Sequence, residues 1–328
     1  MLMKEHIAAF TSHITEAMTI GEKFAPHDKR EIRNVLVTGL GGSGIGGTIV
    51  AQVCDSELQV PFLVSKDYFI PGFVNKHTLV IASSYSGNTE ETLQALEAAQ
   101  QKGALIVCVT SGGKVAEIAK KNNYATIMIP GGMPPRSAFG FSATQLFYVL
   151  QKYNLISDRF IIQLKAAVVL IDSEEKNITK GAMELARNLM GKIPVIYSVA
   201  GYEGVSIRFR QQVDENAKML CWHHVFPEMN HNELVGWTEK NENLSVLIFL
   251  DKDEYTRNLA RVDINRNVIT KHASSVTEIY SKGNSVIEKA IYFIHLGDWI
   301  SIELAALRGV DAVEVNVINH LKSALSKI

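Results

Sequence analysis

The sequence predicts an α/β protein built from two doubly wound parallel-sheet domains in tandem. Apolar, β-branched runs alternate with helical patterns along the chain, which is typical of parallel sheets with right-handed crossovers. A strand, a glycine turn and a helix occur near the start and again in the second half, and 328 residues suffice for two domains. Hydrophobic residues make up 47% of the chain and charged residues 20%, which excludes a disordered protein. We therefore expect domains over residues 1–153 and 154–328.

The first half alternates strands with amphipathic helices. The run over residues 78–84 is continuously apolar, as expected for a strand that is covered on both faces. Gly103 closes the helix that follows it. The expected elements are, in order, an N-terminal amphipathic helix, strands over 34–38 and 78–84, a helix from about Asn88, a strand within 104–110, a helix around 115–121, a strand within 124–130 and a helix over about 137–152.

The second half repeats the order of strand, glycine turn and helix, which indicates a duplicated fold. We expect a cleft between the two domains to hold the functional site. The helix over 286–307 has the apolar spacing of a core or subunit-interface helix, so its polar residues receive no chemical role. The expected elements are a helical stretch over 155–190, a strand, turn and helix within 194–218, strands over 244–250 and within 274–281, helices near 255–268 and over 286–307, and a last helix from about Val313.

Charge and cysteine content exclude several classes of protein. Lys and Arg number 33 against 34 Asp and Glu, so the net charge of −1 gives no field that would attract nucleic acid or an anionic membrane. The cleanest apolar runs are far shorter than the roughly 20 residues of a membrane span, and the N-terminal helix carries acidic residues that a signal peptide lacks. Three widely spaced cysteines predict no disulfide framework and a reducing compartment. We therefore expect a soluble, cytoplasmic protein.

Two turns carry the chemical signals. The first, Gly39-x-Gly41-x-x-Gly44, fits the dinucleotide fingerprint, with Asp67 placed as a ribose ligand would be. The same spacing also fits a tight turn whose backbone closely approaches another ligand. An NAD enzyme and a phosphate-binding protein therefore both remain open from this turn alone.

The second turn, SSYSGNTEET over residues 83–92, joins a strand to a helix. Ser84, Ser86 and Thr89 would converge there with the free N–H groups of a helix start, which predicts a site for a phosphate monoester. The alternative is simple N-capping by Ser86 or Asn88. No GxxxxGK[ST] motif is present, which argues against a P-loop NTPase.

This second turn resembles the phosphosugar-binding motif of SIS (sugar isomerase) domains. The segments GLGGSGIGG, PPRSAFG, QQVDENAK, NHNELVGW and INHLKSAL also occur in the order seen in the bifunctional phosphoglucose/phosphomannose isomerases. The resemblance implies two SIS domains and a homodimer. It also implies interconversion of glucose 6-phosphate, and usually mannose 6-phosphate, with fructose 6-phosphate, without redox cofactor or metal.

The resemblance further implies roles for individual residues. Glu215 would be the base that moves a proton between C1 and C2 through a cis-enediol, a role that suits a carboxylate. His231 would open the sugar ring, entering the site from the partner subunit as in relatives, and Lys322 would assist it. Gly42 and Ser43 would contact the sugar, beside phosphate ligands Ser84, Ser86 and Thr89.

A role for Arg136 in the site is supported by its neighbours in the sequence, because the double proline before it makes the preceding backbone rigid. We expect it to face the enediolate or the phosphate, and the alternative is a structural salt bridge between domains. The alternative for Glu215 is a surface pair with Lys218. A zinc site is a further possibility for four residues at non-standard spacing: His223, His224, Glu228 and His231.

One stretch departs from the family pattern. Many relatives have Asp-Pro-Thr-Pro before the late lysine, and the threonine is connected with accepting mannose; here the stretch is Asp-Ala-Val-Glu over 311–314. This departure bears on mannose 6-phosphate and not on glucose 6-phosphate. The rival functions are a non-catalytic phosphosugar sensor, an isomerase of pentose or hexosamine phosphates, and an NAD enzyme.

Overall fold

A computed structural model describes residues 3–26, 28 and 30–328, and it contains two parallel β-sheets. The first sheet has the strand order β2-β1-β3-β4-β5, and every neighbouring pair is parallel. This order is that of a doubly wound sheet. Its strands are β1 (Asn34–Thr38), β2 (Phe62–Ser65), β3 (Thr78–Ser84), β4 (Leu105–Thr110) and β5 (Ala125–Met128).

Helices cover both faces of this sheet. Alternate residues of β3 belong to two different apolar clusters, with Leu79 and Ile81 in one and Val80 and Ala82 in the other. The continuous apolar run of this strand is thereby explained. The helices of the first half are α1 (Met3–Ala8), α2 (Phe10–Glu22), α3 (Gly41–Val53), α4 (Glu90–Gln101), α5 (Gly113–Asn122) and α6 (Phe139–Lys152).

The second sheet repeats the topology of the first. Its order, β7-β6-β8-β9, matches β2-β1-β3-β4, and all its neighbours are parallel. The predicted α/β class and the duplicated fold are thus confirmed. Its strands are β6 (Ile193–Val199), β7 (Trp222–Phe226), β8 (Asn241–Leu250) and β9 (Ala273–Tyr280), and its helices are α7 (Arg159–Leu189), α8 (Glu203–Ala217), α9 (Thr256–Ile269), α10 (Val286–Arg308) and α11 (Asn316–Leu325).

Some elements differ from those that the sequence predicts. The edge strands β2 and β7 were not predicted, and the last helix begins at Asn316 rather than near 313. The N-terminal helix is divided into α1 and α2, while the first two residues of its predicted span lie outside the described residues. The domain boundary at 153/154 falls between α6 and α7 and stays a prediction.

The two halves pack closely through equivalent helices, α3 and α8. The Gln52 side chain of α3 accepts a hydrogen bond from the Gly204 N–H (2.8 Å) and donates one to the Ala200 carbonyl (3.0 Å). One apolar cluster extends from β1 and α3 to β6, α8 and α10. The expected close packing of the halves is therefore present.

The long apolar helix α10 is a core helix, as predicted. Among the described residues it is the one helix long and apolar enough to cross a membrane, yet 89% of its most apolar window is buried inside the protein. Its Asp298 accepts hydrogen bonds from Arg208 (2.6 Å) and Gln212 (2.9 Å) of α8. These contacts fix α8, which carries the predicted base.

Candidate active site

The predicted phosphate-binding residues lie in the loop of residues 84–89, called here the hydroxyl loop, which joins β3 to α4. The Ser84 Oγ is buried and lies 3.0 Å from Thr89 Oγ1 in a hydrogen bond, while Ser86 is exposed and its Oγ accepts from the Asn88 N–H (3.3 Å). Gly87 has a φ of +68°, and a Cβ there would lie 1.8 Å from the Gly112 carbonyl oxygen. Only glycine fits this position, so the loop has a fixed shape.

The N-terminus of α4 opens onto the hydroxyl loop. Its N-cap residue is Thr89, whose side chain makes no capping hydrogen bond to the helix. The alternative of N-capping by Ser86 or Asn88 is therefore wrong, because Thr89 holds that position and its hydroxyl turns to Ser84 instead. The N–H groups of the first helical turn, which have no partner inside a helix, remain available to an anion.

The glycine turn lies beside the hydroxyl loop, since β1 and β3 are neighbours in the sheet. The buried Ser43 Oγ accepts a hydrogen bond from the Tyr85 N–H (3.1 Å), which leaves its hydroxyl proton free to donate to a ligand. A Cβ on Gly44 would lie 2.1 Å from the Gly39 carbonyl oxygen, so the GxGxxG spacing is required by the turn itself.

The segment that carries Arg136 packs against both turns. A Cβ on Gly42 would lie 3.2 Å from Arg136 Cα, and the Tyr85 hydroxyl accepts a hydrogen bond from the Met133 N–H (3.0 Å). Gly42, Ser43, the hydroxyl loop and Arg136 are thus contiguous, as the sequence predicts for one site.

Arg136 reaches from the first half of the chain to the second. Its buried guanidinium donates to Asn216 Oδ1 (2.7 Å), to Glu215 Oε2 (3.2 Å) and to the Ala312 and Val313 carbonyls. Burial lowers the pKa of this guanidinium, and the Glu215 carboxylate opposes that shift. These contacts include a salt bridge between the two halves, which is the alternative interpretation of Arg136. The expected role of Arg136 toward the enediolate or the phosphate stays a prediction.

Glu215 lies in the last turn of α8, with 28% of its side chain exposed. Lys218 does not form the alternative pair with its carboxylate: the ammonium donates to the Glu215 backbone carbonyl and to the Glu314 carbonyl, each at 2.6 Å. Burial and the charge of Arg136 lower the pKa of Lys218. The Glu215 carboxylate is therefore held by Arg136 and still reaches solvent.

His231 and Lys322 lie apart from this cluster in the single chain. Both are exposed, and neither side chain has a hydrogen-bond or ion-pair partner among residues 3–26, 28 and 30–328. Every residue of α11, which carries Lys322, is exposed. Their predicted roles in ring opening stay predictions.

The alternative of a zinc site is not supported by the arrangement of its residues. Within the described part of the chain, no group of three His, Cys, Asp or Glu side chains is placed to hold a metal ion. The His224 Nδ1 accepts from the Val225 N–H (2.8 Å), and His223 faces Glu203 at 3.9 Å.

Three residues that order the site were not predicted. Tyr85 connects the hydroxyl loop to the Arg136 segment, Asn216 orients the guanidinium, and Lys218 binds the chain before α11. Each lies inside a motif quoted above, within three residues of a residue singled out for the site. Their presence in these motifs was the available signal in the sequence, but a motif does not tell where a side chain points.

The arrangement combines two chemical abilities. Hydroxyl groups and a helix N-terminus can hold a phosphate, and next to them a carboxylate that can take a proton is paired with a guanidinium that can stabilise an anion. A sugar phosphate with a reacting carbonyl near the carboxylate fits both requirements.

Comparisons with known proteins agree with this arrangement. The model "SIS domain" matches residues 30–150, and "Bacterial phospho-glucose isomerase C-terminal SIS domain" matches residues 178–325. The chain is 37% identical to a bifunctional phosphoglucose/phosphomannose isomerase of Caldicellulosiruptor bescii, over 99% of each chain. It is 33% identical to the protein of that name from Aquifex aeolicus, over 92% of each. Among solved structures, tagatose-6-phosphate ketose/aldose isomerase of Escherichia coli superposes with a TM-score of 0.72 at 16% identity, over 95% of each chain, which supports the fold.

Proposed function

The chain belongs to the family of bifunctional phosphoglucose/phosphomannose isomerases, and from this premise we propose how it acts. It interconverts glucose 6-phosphate and mannose 6-phosphate with fructose 6-phosphate. The observation that carries the mechanism is the contact of Arg136 with Glu215 (3.2 Å) beside the hydroxyl loop. It joins a base and an anion-stabilising group next to a phosphate site.

The phosphate is held by the hydroxyl groups of Ser84, Ser86 and Thr89 and by the first N–H groups of α4. The dipole of α4 favours the negative charge there. Ser43, whose hydroxyl proton is free, donates to the sugar, and Gly42 lets the sugar approach the backbone. Holding the phosphate in a fixed loop places C1 and C2 at a constant distance from the base.

Glu215 removes the proton from C2 of the aldose and returns it to C1, through a cis-enediol. Arg136 contacts the Glu215 carboxylate, which supports assigning its guanidinium to stabilise the negative charge of the enediolate. The hydrogen bond from its Nε to Asn216 keeps the guanidinium plane fixed.

Ring opening is assigned to His231 and Lys322 in a homodimer whose active site is completed across the interface. Two observations support this assembly. His231 is exposed and has no side-chain partner in the described chain, as a residue used by another subunit would be. The face of α11 beside Lys322 exposes apolar side chains that a second subunit would cover: Val317 (83%), Ile318 (40%), Leu321 (57%) and Leu325 (43%).

The stretch that differs from the family pattern touches the catalytic group directly. The Ala312 and Val313 carbonyls accept hydrogen bonds from Arg136. These are backbone contacts, so they persist without the family's threonine. Acceptance of the mannose epimer then depends on the space beside Val313 rather than on a hydroxyl group.

The test is isomerase activity on glucose 6-phosphate and mannose 6-phosphate separately, with EDTA present and no cofactor added. Fructose 6-phosphate from both is expected. If only glucose 6-phosphate gives product, mannose 6-phosphate is not a substrate, and the sugar specificity is connected to Val313. Activity on neither, with sugar phosphate still bound, would contradict the proposal and favour a non-catalytic sensor.

A further inference from the structure

The loop that carries His231 is anchored on both sides of that residue. The histidine loop, residues 228–236, follows β7 and consists of two short 3-10 turns, Glu228–His231 and Glu233–Gly236. Before His231, the Met229 side chain is fully buried and Asn230 donates to Asn265 of α9 (2.7 Å). The imidazole itself is exposed, so its direction depends on how the loop is held.

The anchor after His231 is the carboxylate of Glu233. One of its oxygens, Oε1, accepts hydrogen bonds from the Tyr197 hydroxyl (2.5 Å) and from the Trp222 indole N–H (3.0 Å). The donors belong to the neighbouring strands β6 and β7, so the carboxylate ties the loop to the rigid sheet. Hydrogen bonds to a charged acceptor are stronger than those between neutral groups.

The Tyr197 hydroxyl uses both its donor and an acceptor position in this anchor. It donates to Glu233 and accepts from the Trp237 indole N–H (3.1 Å), and its ring is buried. Burial raises the pKa of Tyr197, and the Glu233 carboxylate raises it further, so the phenol remains a donor across the working pH range. Tyr197, Trp222, Glu233 and Trp237 thus form one connected network, called here the carboxylate anchor.

We propose that Glu233 is a positioning residue for ring opening, because the carboxylate anchor holds His231 in the direction that its active site requires. The inference rests on the proposed function, in which His231 opens the sugar ring. Glu233 lies two residues after His231, with Asn232 between them bonded to Glu228 Oε1 (3.0 Å). Releasing the carboxylate would free one end of the loop while the phosphate site, on the other sheet, stays intact.

The test separates ring opening from proton transfer. Ring opening alone interconverts the α and β anomers of glucose 6-phosphate, whereas isomerisation also needs the Glu215 step; both rates are measured by NMR on the same samples. Glu233→Ala is expected to lower both by about tenfold or more, with KM changed by less than about threefold. Glu233→Gln keeps an oxygen acceptor for both donors and should restore most of each rate. Glu239→Ala is the matched control, since it removes an exposed carboxylate three residues after the loop, and it should leave both rates unchanged.

Unchanged anomerisation in Glu233→Ala would overturn the inference, whether or not isomerisation falls. If that variant does not fold, Tyr197→Phe is tested instead. It removes one hydrogen-bond donor to Glu233 and should lower the rates of anomerisation and isomerisation together by about threefold or more. Rates like those of the wild type in a folded Tyr197→Phe would then overturn it. A wild-type enzyme that isomerises sugar phosphates without accelerating anomerisation also overturns it, while leaving the proposed function standing. A wild type inactive on both sugars would instead contradict the proposed function.

Discussion

Ser83 and Ser84 are neighbours at the end of β3, and strand alternation turns their hydroxyl groups to opposite faces of the sheet. Ser84 Oγ is bonded to Thr89 in the hydroxyl loop. Ser83 Oγ is buried and has no partner among the residues that the structure describes. These two serines are therefore a matched pair for testing the phosphate site.

Replacing Ser84 by Ala should raise KM for glucose 6-phosphate by about 10- to 100-fold, because one hydrogen bond to a charged phosphate is lost. The kcat should change much less, since the base is untouched. Ser83→Ala should leave both constants within about twofold of the wild type. Steady-state kinetics measure this, and equal effects of the two substitutions would contradict the assignment of the loop.

His223 predicts a pH dependence of stability. Burial and the nearby charge of Arg210 lower its pKa from 6.5 to about 4. The unfolded chain binds a proton there below about pH 6.5, whereas the folded chain does not until about pH 4, so the free energy of unfolding falls as pH drops through this range. Between about pH 7.5 and pH 5 the loss should be about 2 kcal/mol. Urea unfolding should show this loss of stability in the wild type and a smaller loss in His223→Gln. Equal losses in the two proteins would contradict the role of His223.

The sequence predicted the members of the site better than their contacts. Glu215 and Arg136 were selected from separate motifs, and the structure brings them to 3.2 Å. Lys218 was considered only as a carboxylate partner, yet it binds two backbone carbonyls, and Glu233 was not singled out at all. Spacing identifies residue types near one another, but side-chain direction depends on packing against segments that are distant in sequence.

At the scale of elements, the central strands were predictable, whereas of the four edge strands β5 and β9 were predicted and β2 and β7 were not. β3 and β8 are apolar runs because each is covered on both sides by other strands and on both faces by other elements. β2 and β7 lie at sheet edges, are short and are only partly buried, and the apolar runs within them are three residues or shorter, which is a weak strand signal. A prediction based on hydrophobic pattern therefore finds the centre of each sheet first.

Within the described part of the chain, the duplicated fold has one hydroxyl loop and not two. The matching crossover in the second half, between β8 and α9, begins with Asp251, whose carboxylate binds Lys289 (2.9 Å) and accepts from the Tyr202 hydroxyl (3.1 Å). Lys289 also pairs with Asp253 (2.6 Å). Carboxylates at this crossover repel a phosphate, and the neighbouring lysine is already paired.

We therefore expect one sugar phosphate to bind per chain. Titration calorimetry of the Glu215→Gln variant with glucose 6-phosphate should give a stoichiometry of about one, since that variant keeps the hydroxyl loop without turnover. In the double variant Ser84→Ala/Glu215→Gln, the affinity of that single binding event should fall, which would locate the bound sugar phosphate at the hydroxyl loop. A second event per chain of similar affinity would contradict this account of the second crossover.

In the dimer as a whole, we expect each active site to combine Glu215 of one subunit with His231 of the other. Mixing equal amounts of Glu215→Gln and His231→Ala variants, with subunit exchange, should restore about a quarter of wild-type activity. About half of the dimers would be mixed, and each would hold one native site of two. Each variant alone, taken through the same exchange, is the control. No recovery from mixed dimers would show that both residues act within one chain.

We propose Glu215 as the base of an aldose–ketose isomerase, and the neighbouring carboxylate of Asp214 provides the control. Asp214 is half-buried on the same helix, next to Cys221 and away from Arg136, and burial raises its pKa. The measurement is kcat and Kd for glucose 6-phosphate in Glu215→Gln and Asp214→Asn. We expect Glu215→Gln to lose about a thousandfold or more in kcat with Kd within about threefold of the wild type, and Asp214→Asn to keep turnover. Near-normal turnover in a folded Glu215→Gln enzyme would contradict the account.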